Sequence, residues 1–335
     1  MMLQDKFFKI TETWAFEGIT EGMSLALANF DIRSPDLAYH KERIISAAKA
    51  CRRYGVDMLI LPEASIAGMF WEGDEGSGYR ESASLNRQLP WIKEKLIPLI
   101  GDKLRYIVIN GDIRNESSGK PYHNVTCVLQ NGFEAFTEQN CYRKQILPPS
   151  ELDWTAGGTS KRLVIDSPWG KFGFLTCFDL CFSQLAQEYV MLDEVDAIIS
   201  PAAWRSGPTP ALKRPDVPHA PWRDLMNIAA ASHSALFQIW LFLCNARGVH
   251  PKRGDEYGGD SGVWSPFGQC VAKADNTGDE LAIVRGLNLK AARRTARELR
   301  DLTYFFKTLF REVPGKECYT KLKEKMADHM SCNAA

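Results

Sequence analysis

Short apolar runs alternate with amphipathic stretches along this chain. Residues 23–30 (MSLALANF) make one compact apolar run, the pattern of a buried strand. Residues 37–54 follow with Ile44, Ile45, Ala48 and Cys51 at helical spacing, and Gly55 stands where helices commonly stop. A second apolar run, Met58 to Leu61, is ended by Pro62. Strand, helix, strand is the opening of an α/β layered fold. The same reading predicts strands at 106–111, 125–129, 172–175, 197–201 and 239–245, and one before Ser265 led by a glycine-serine turn at 258–264. It predicts helices at 89–100, 183–192, 223–234, 290–311 and 319–330. A strand at 133–136 would pair with 125–129 across the Gln130–Asn131–Gly132 turn. Residues 1–20 are aperiodic and read as a surface extension. Residues 70–84, rich in glycine and charge, read as a loop. Residues 205–222 carry prolines at 208, 210, 215, 218 and 221, which no helix survives; they read as a lid or specificity insertion.

Composition narrows the class. Apolar residues make up 45% of 335, enough for a sizeable core, and the formal net charge is zero, which removes the usual signature of nucleic-acid binding. No apolar run approaches the length needed to span a bilayer, and the N-terminal residues lack the apolar region of a secretory signal. Nine scattered cysteines then read as reduced thiols in a cytoplasm, and the sequons at Asn115 and Asn124 as chance. The histidines at 40, 123, 219, 233, 250 and 329 form no i, i+4 pair and there is no C-x-x-C, so neither a metal nor a cofactor is expected. The glycines at 73, 76 and 78 follow no phosphate-loop pattern. The arginines at 293, 294, 297 and 300 read as a solvated or subunit-facing helix rather than an RNA stripe. No repeat or linker divides the chain, so one domain is expected.

Three polar residues stand out because each lies near the end of a predicted strand, where α/β sheets place their chemistry. Cys177 falls between a strand and a helix, where a thiol can stand clear of the sheet; the alternative is a buried core cysteine. A thiol with an ordinary pKa of about 8.5 needs a base to become a nucleophile, and Glu63 could supply it. A tetrahedral intermediate needs a fixed positive donor, and Lys144 could supply that. A cysteine–histidine pair using His123 or His219 is the competing arrangement, but it leaves Glu63 and Lys144 unexplained. His219 also reads as a solvent-exposed loop histidine.

The segments LPE (61–63), YRK (142–144) and TCFD (176–179) together resemble the motifs of the nitrilase superfamily of carbon–nitrogen hydrolases, whose catalytic residues come in the order Glu, Lys, Cys. The resemblance spans roughly residues 23–282, and GKFGFLTCFD with SPAAW (200–204) is most similar to the vanin and biotinidase branch. It implies a four-layer α-β-β-α sandwich in a single domain, with an extension at 1–22, the hydrolase domain at 23–288 and a subunit-contacting helical tail at 289–335 in a homodimer or higher oligomer. It implies catalytic roles for Glu63, Lys144 and Cys177, an oxyanion donor in the Phe178 backbone N–H, and a second glutamate, Glu151, that orients the lysine; a surface loop is the other reading of Glu151. Phe70, Trp71, Tyr122, Trp204 and His219 are pocket candidates, as are Asp260 and Ser261. Tyr122 and Asn124 resemble an aromatic–Asn pair of the family, with His123 between them.

The implied reaction is amide hydrolysis through a cysteine thioester, on a small molecule such as a pantetheine- or biotin-amide. Nitriles and N-carbamoyl compounds use the same triad, but Phe178–Asp179 stands where several nitrilases carry Trp-Glu, which shifts the expectation toward amides. Animal vanins and biotinidase are secreted or membrane-anchored, so the expected location departs from theirs. An inactive binding or scaffold protein of the same fold is the reading from another class.

Overall fold

The computed structural model describes residues 3–69, 73–116, 119–158, 161–207, 222–250, 254 and 256–304. The chain first lays down β1 (Leu3–Gln4), β2 (Lys9–Trp14), β3 (Met23–Asn29), β4 (Met58–Ile60), β5 (Tyr106–Arg114), β6 (Tyr122–Gln130) and β7 (Cys141–Arg143). A second group follows: β8 (Val164–Ser167), β9 (Gly170–Phe174), β10 (Ala197–Ala202) and β11 (Trp240–Asn245), then a small pair, β12 (Arg247–Val249) and β13 (Glu256–Gly258), then β14 (Gly262–Trp264) and β15 (Cys270–Lys273). The last strand, β16 (Glu280–Leu287), returns to the first group and lies between β2 and β3. The result is an eight-stranded sheet facing a six-stranded one. The helices are α1 (Leu37–Tyr54), α2 (Gly73–Ala83), α3 (Leu85–Trp91), α4 (Ser183–Leu192), α5 (Trp222–Phe237) and α6 (Leu289–Leu299).

Alternation of side chains decides the layers. Ala26, Ala28, Leu59, Leu61, Ile107 and Ile109 face outward and pack on Ile44, Ala47, Ala48 and Cys51 of α1. Their neighbours Leu25, Leu27, Met58, Ile60 and Val108 face inward and share one core with Phe172, Phe174, Phe242 and the α4 residues Leu185 and Tyr189. The Cys244 thiol, on β11, donates to the Ile60 carbonyl at 3.2 Å across the two sheets. The fold is therefore the four-layer α-β-β-α sandwich. Helix α1 starts where the Asp36 carboxylate accepts the Tyr39 N–H and ends where Gly55 turns left-handed at φ 62°. Parallel pairs β3–β4–β5 and β9–β10–β11 send the strand ends carrying Glu63, Cys177 and Ala203 toward the same edge.

Several local expectations are corrected. Residues 9–14 are a strand rather than a surface extension: β2 pairs in parallel with β16, and Phe8 and Ile10 are buried. Residues 133–136 are not a strand; β7 takes the place beside β6, and Phe133 packs edge-on to Phe136 at 5.2 Å. The expected loop at 70–84 contains α2, anchored by Tyr79 Oη donating to the Ala67 carbonyl at 2.8 Å and by Arg80 on Asp112 at 2.7 Å. The helix expected at 89–100 begins earlier as α3 and passes into a wider turn at Ile92–Leu96 and a tighter one at Ile97–Leu99. The helix expected at 290–311 stops at Leu299, and Arg293, rather than being solvated, is buried against Asp196 at 3.0 Å. Phe70, Trp71, His219, most of the proline-rich insertion and the expected helix at 319–330 lie outside the described residues.

Candidate active site

Strand β4 ends at Ile60, and Glu63 is the third residue beyond it; Ala64 is held left-handed at φ 53° with its N–H donating to Asn110 Oδ1 at 2.7 Å. Lys144 follows β7, and its own N–H donates to the Asn124 carbonyl at 2.9 Å, which fixes where its side chain starts. Cys177 opens a short helical turn, Cys177–Cys181, after β9. Its φ of 50° is unusual for a residue with a Cβ, and such strain is held only where the surroundings over-determine it. Thr176 and Asp179 cap that turn reciprocally.

The three side chains meet. Lys144 Nζ donates to Glu63 Oε1 at 2.8 Å and to Glu151 Oε1 at 2.6 Å, and Glu63 and Lys144 are fully buried. The Cys177 thiol lies close enough to Glu63 and Lys144 to feel the charge of both. Asn124 Nδ2 donates to Glu63 Oε1 at 2.8 Å and to Glu151 Oε2 at 3.3 Å. Ala203 N–H donates to Glu63 Oε2 at 2.9 Å. A carboxylate offers about four acceptor positions, so Lys144, Asn124 and Ala203 leave one for the thiol. Glu151, expected either to orient the lysine or to lie in a surface loop, sits buried against the lysine in a tight turn at Pro149–Glu151.

The electrostatics follow from one buried ammonium between two carboxylates. Burial alone would depress Lys144, but the charges of Glu151 and Glu63 outweigh it and hold the ammonium well above the usual lysine range. Burial pushes Glu151 up to about 7 against the pull of Lys144. Burial, then the Glu63 charge, push the Cys177 thiol well above the usual cysteine range. The thiol therefore rests protonated, beside the Glu63 carboxylate.

Positioning residues that the sequence reading missed hold this centre. Asp179 accepts from Tyr142 Oη at 2.8 Å, from the N–H of Ile146 at 2.7 Å and from that of Thr176 at 3.1 Å, so it ties the Lys144 segment to the Cys177 turn. Burial pushes its carboxyl up to about 6, against those bonds. Asn110 Nδ2 donates to Asn124 Oδ1 and Thr126 Oγ1, and Thr126 bonds Thr176 at 2.8 Å. Asn245 Oδ1 accepts the Trp204 N–H at 2.7 Å and locks the corner that carries Ala203. The available signal was a run of small polar residues at positions where strands otherwise stay apolar.

Of the pocket candidates, Trp204 stacks on Phe178 at 6.3 Å and so lies beside the Cys177 turn. Tyr122 shares the inner face of β6 with Asn124, and its hydroxyl donates to Glu81. Asp260 and Ser261 are not brought to the centre. Ser261 accepts the Asn245 N–H at 2.9 Å, and Asp260 accepts from Asn276 at 2.6 Å. His123 Nδ1 bonds the Ala156 carbonyl at 3.1 Å. Among the described residues no group of three or more His, Cys, Asp or Glu could hold a metal ion, and no helix is long and apolar enough to cross a membrane.

Two facing sheets, helices outside and this convergence at one strand edge define a sandwich protein of the nitrilase type. The chain belongs to the carbon–nitrogen hydrolase family, whose family model matches residues 24–297. It is similar to pantetheinase from Mus musculus, 27% identical over 183 residues, 48% of this chain and 34% of that protein. Pantetheinase from Bos taurus is 26% identical over 180 residues, 47% of this chain and again 34% of its own length. The match thus spans about a third of the length of these curated relatives. In fold it is similar to a carbon–nitrogen hydrolase from Helicobacter pylori, with a TM-score of 0.68 at 17% identity over 87% of this chain and 98% of that one. A nitrilase-superfamily member from Saccharomyces cerevisiae gives 0.63 at 19% identity, over 83% and 96%.

Proposed function

We propose that this chain hydrolyses a non-peptide carbon–nitrogen bond, an amide first, through a thioester on Cys177. The observation that carries the reading is a buried carboxylate bonded to an ammonium, with a buried thiol beside both. In the proposed cycle Glu63 takes the thiol proton as sulfur attacks the amide carbon. Lys144 and the Phe178 N–H stabilise the oxyanion. Collapse breaks the carbon–nitrogen bond, and Glu63 returns the proton to the leaving amine. Glu63 then activates a water that hydrolyses the thioester, releasing the acid and restoring the thiol. Base help of this kind is worth roughly 10²–10⁴-fold and one oxyanion donor about 10²–10³-fold. A thiol that rests protonated suits the scheme, because the charge forms only as the proton moves.

The similarity to pantetheinases supports a pantetheine-like amide as the first substrate class to try. Leu225, Ile228 and Leu236 on the exposed side of α5 support a homo-oligomer, which sedimentation of the chain against Ile228→Glu tests. The test of the reaction is intact-protein mass spectrometry after mixing with small amides, pantetheine, a biotinyl amide, a carbamoyl amine and an aliphatic nitrile. Glu63→Gln is run alongside to slow deacylation. An acyl adduct absent in Cys177→Ala supports the scheme, and its mass names the acyl half. Turnover that survives Cys177→Ala sinks it.

A further inference from the structure

On the far side of the molecule lies a cleft of about 390 Å³ lined by Lys290, Arg293, Arg294, Arg297, Glu298 and Asp196. The four basic residues are spaced i, i+3, i+4, i+7 and so share one face of α6. Like charges four apart repel, and nothing in helix formation calls for that arrangement. Arg293 is buried, and only its Nη1 is engaged, on the Glu194 carbonyl at 3.1 Å and on Asp196 Oδ1 at 3.0 Å. Its Nε and Nη2 are buried without a partner, and so are Nε and Nη2 of Arg297. Buried polar groups almost always find partners, and charged donors left unmet are costlier than neutral ones. Two guanidinium edges one helical turn apart present the planar fork that grips an oxyanion through paired bonds.

The acids nearby do not fill this role. Asp196 spends one oxygen on Arg293 Nη1 and the other on the Lys171 N–H at 3.0 Å. Glu298 lines the cleft, while Glu194 and Asp301 act on Arg293 and Arg297 through their charge. Burial, then the Arg297 charge, pull Arg293 below the usual guanidinium range, against the opposing pull of Asp196 and Glu194.

We infer that this cleft is a binding site for a phosphate group carried on a small molecule, separate from the Cys177 centre. Asp196 immediately precedes β10, whose opposite end leads to Ala203 at Glu63. At about 3.3 Å per residue the two sites stand roughly 20 Å apart. Four basic side chains, two of them with unpartnered guanidinium nitrogens, suit a dianion with three free oxygens better than a carboxylate with two.

The test is titration calorimetry of the full chain with inorganic phosphate and with glycerol phosphate, at constant ionic strength, and with acetate as comparator. Saturable phosphate binding is expected. Arg297→Gln and Arg294→Gln should each weaken it about tenfold or more, the loss of a charge-assisted bond. Arg297→Lys should restore only part, because it returns the charge without the fork. Both positions are less buried than Arg293, so the variants report binding rather than folding. Cys177→Ala should bind phosphate as the parent does. No saturable binding up to about 10 mM, unchanged affinity in Arg297→Gln, acetate binding as tightly as phosphate, or loss of binding in Cys177→Ala would each overturn the assignment.

Discussion

The backbone N–H of Ala203 donates to Glu63 Oε2 at 2.9 Å, and that bond joins the strand ends of two different sheets. Glu63 follows β4 of the eight-stranded sheet, and Ala203 follows β10 of the six-stranded one. The bond fixes the rotation of the carboxylate, so that Oε1 receives Lys144 and Asn124. Glu63→Gln keeps the shape but puts an NH₂ where every neighbour is a donor. In the proposed cycle kcat should fall by at least about 10²-fold, because the base is gone. Circular dichroism should match the parent. Parent-like turnover in the variant would remove Glu63 from the chemistry.

Lys144 is the counter-ion of two buried carboxylates, so its removal is a matter of stability as well as rate. Lys144→Ala leaves Glu63 and Glu151 buried and unpaired, a change that typically costs about 3–5 kcal/mol. Adding Glu151→Gln removes one of those charges and should restore part of the stability, read by urea unfolding, while turnover stays lost. Recovery of turnover in the double variant would mean that Lys144 only balances charge.

How much of this centre could be read from residues alone follows from what each depends on. Glu63, Lys144 and Cys177 were legible because each interrupts or follows an apolar run at a strand end, a local feature. Asn110, Thr126 and the positioning role of Asp179 were not, because their value lies in bonds between segments distant in the chain, such as Thr126 to Thr176. Strand β2 escaped for the same reason: it is defined by Lys9 lying opposite Glu280, while most of its outer residues are exposed. The aromatic run at 133–136 misled because Phe133 and Phe136 are apolar to cover the outer core, not to pair in a sheet. Helix α2 was hidden by its glycines, and its anchors, Ala67 and Asp112, lie outside it.

Asp179 positions both the lysine segment and the cysteine turn without touching either functional atom. Asp179→Asn keeps the size but leaves one oxygen for donors that now use two. A buried donor left unmet costs about 1–3 kcal/mol, so the melting temperature should drop. Displacement of Cys177 relative to Lys144 should lower kcat by up to about 10²-fold, with KM little changed. A fall in KM affinity at constant kcat would place Asp179 on the substrate instead.

His40 gives the fold an acid limit near the same loop. The Arg33 N–H donates to its Nε2 at 2.9 Å, which makes Nε2 an acceptor, so Nδ1 carries the proton and donates to the Ile66 carbonyl at 2.8 Å. A second proton on the ring would break the Arg33 bond. Burial accordingly lowers the His40 pKa to about 4 from the ordinary 6.5. Between those values the unfolded chain takes up a proton that the folded chain refuses, so stability present above pH 6.5 is lost as pH falls toward 4. At 1.36 kcal/mol per unit the loss comes to about 3 kcal/mol. His40→Gln offers a neutral donor and acceptor with no titration in this range. Urea unfolding across pH 7 to 4.5 should show a steeper fall for the parent than for the variant. Equal slopes would show that His40 does not set the limit.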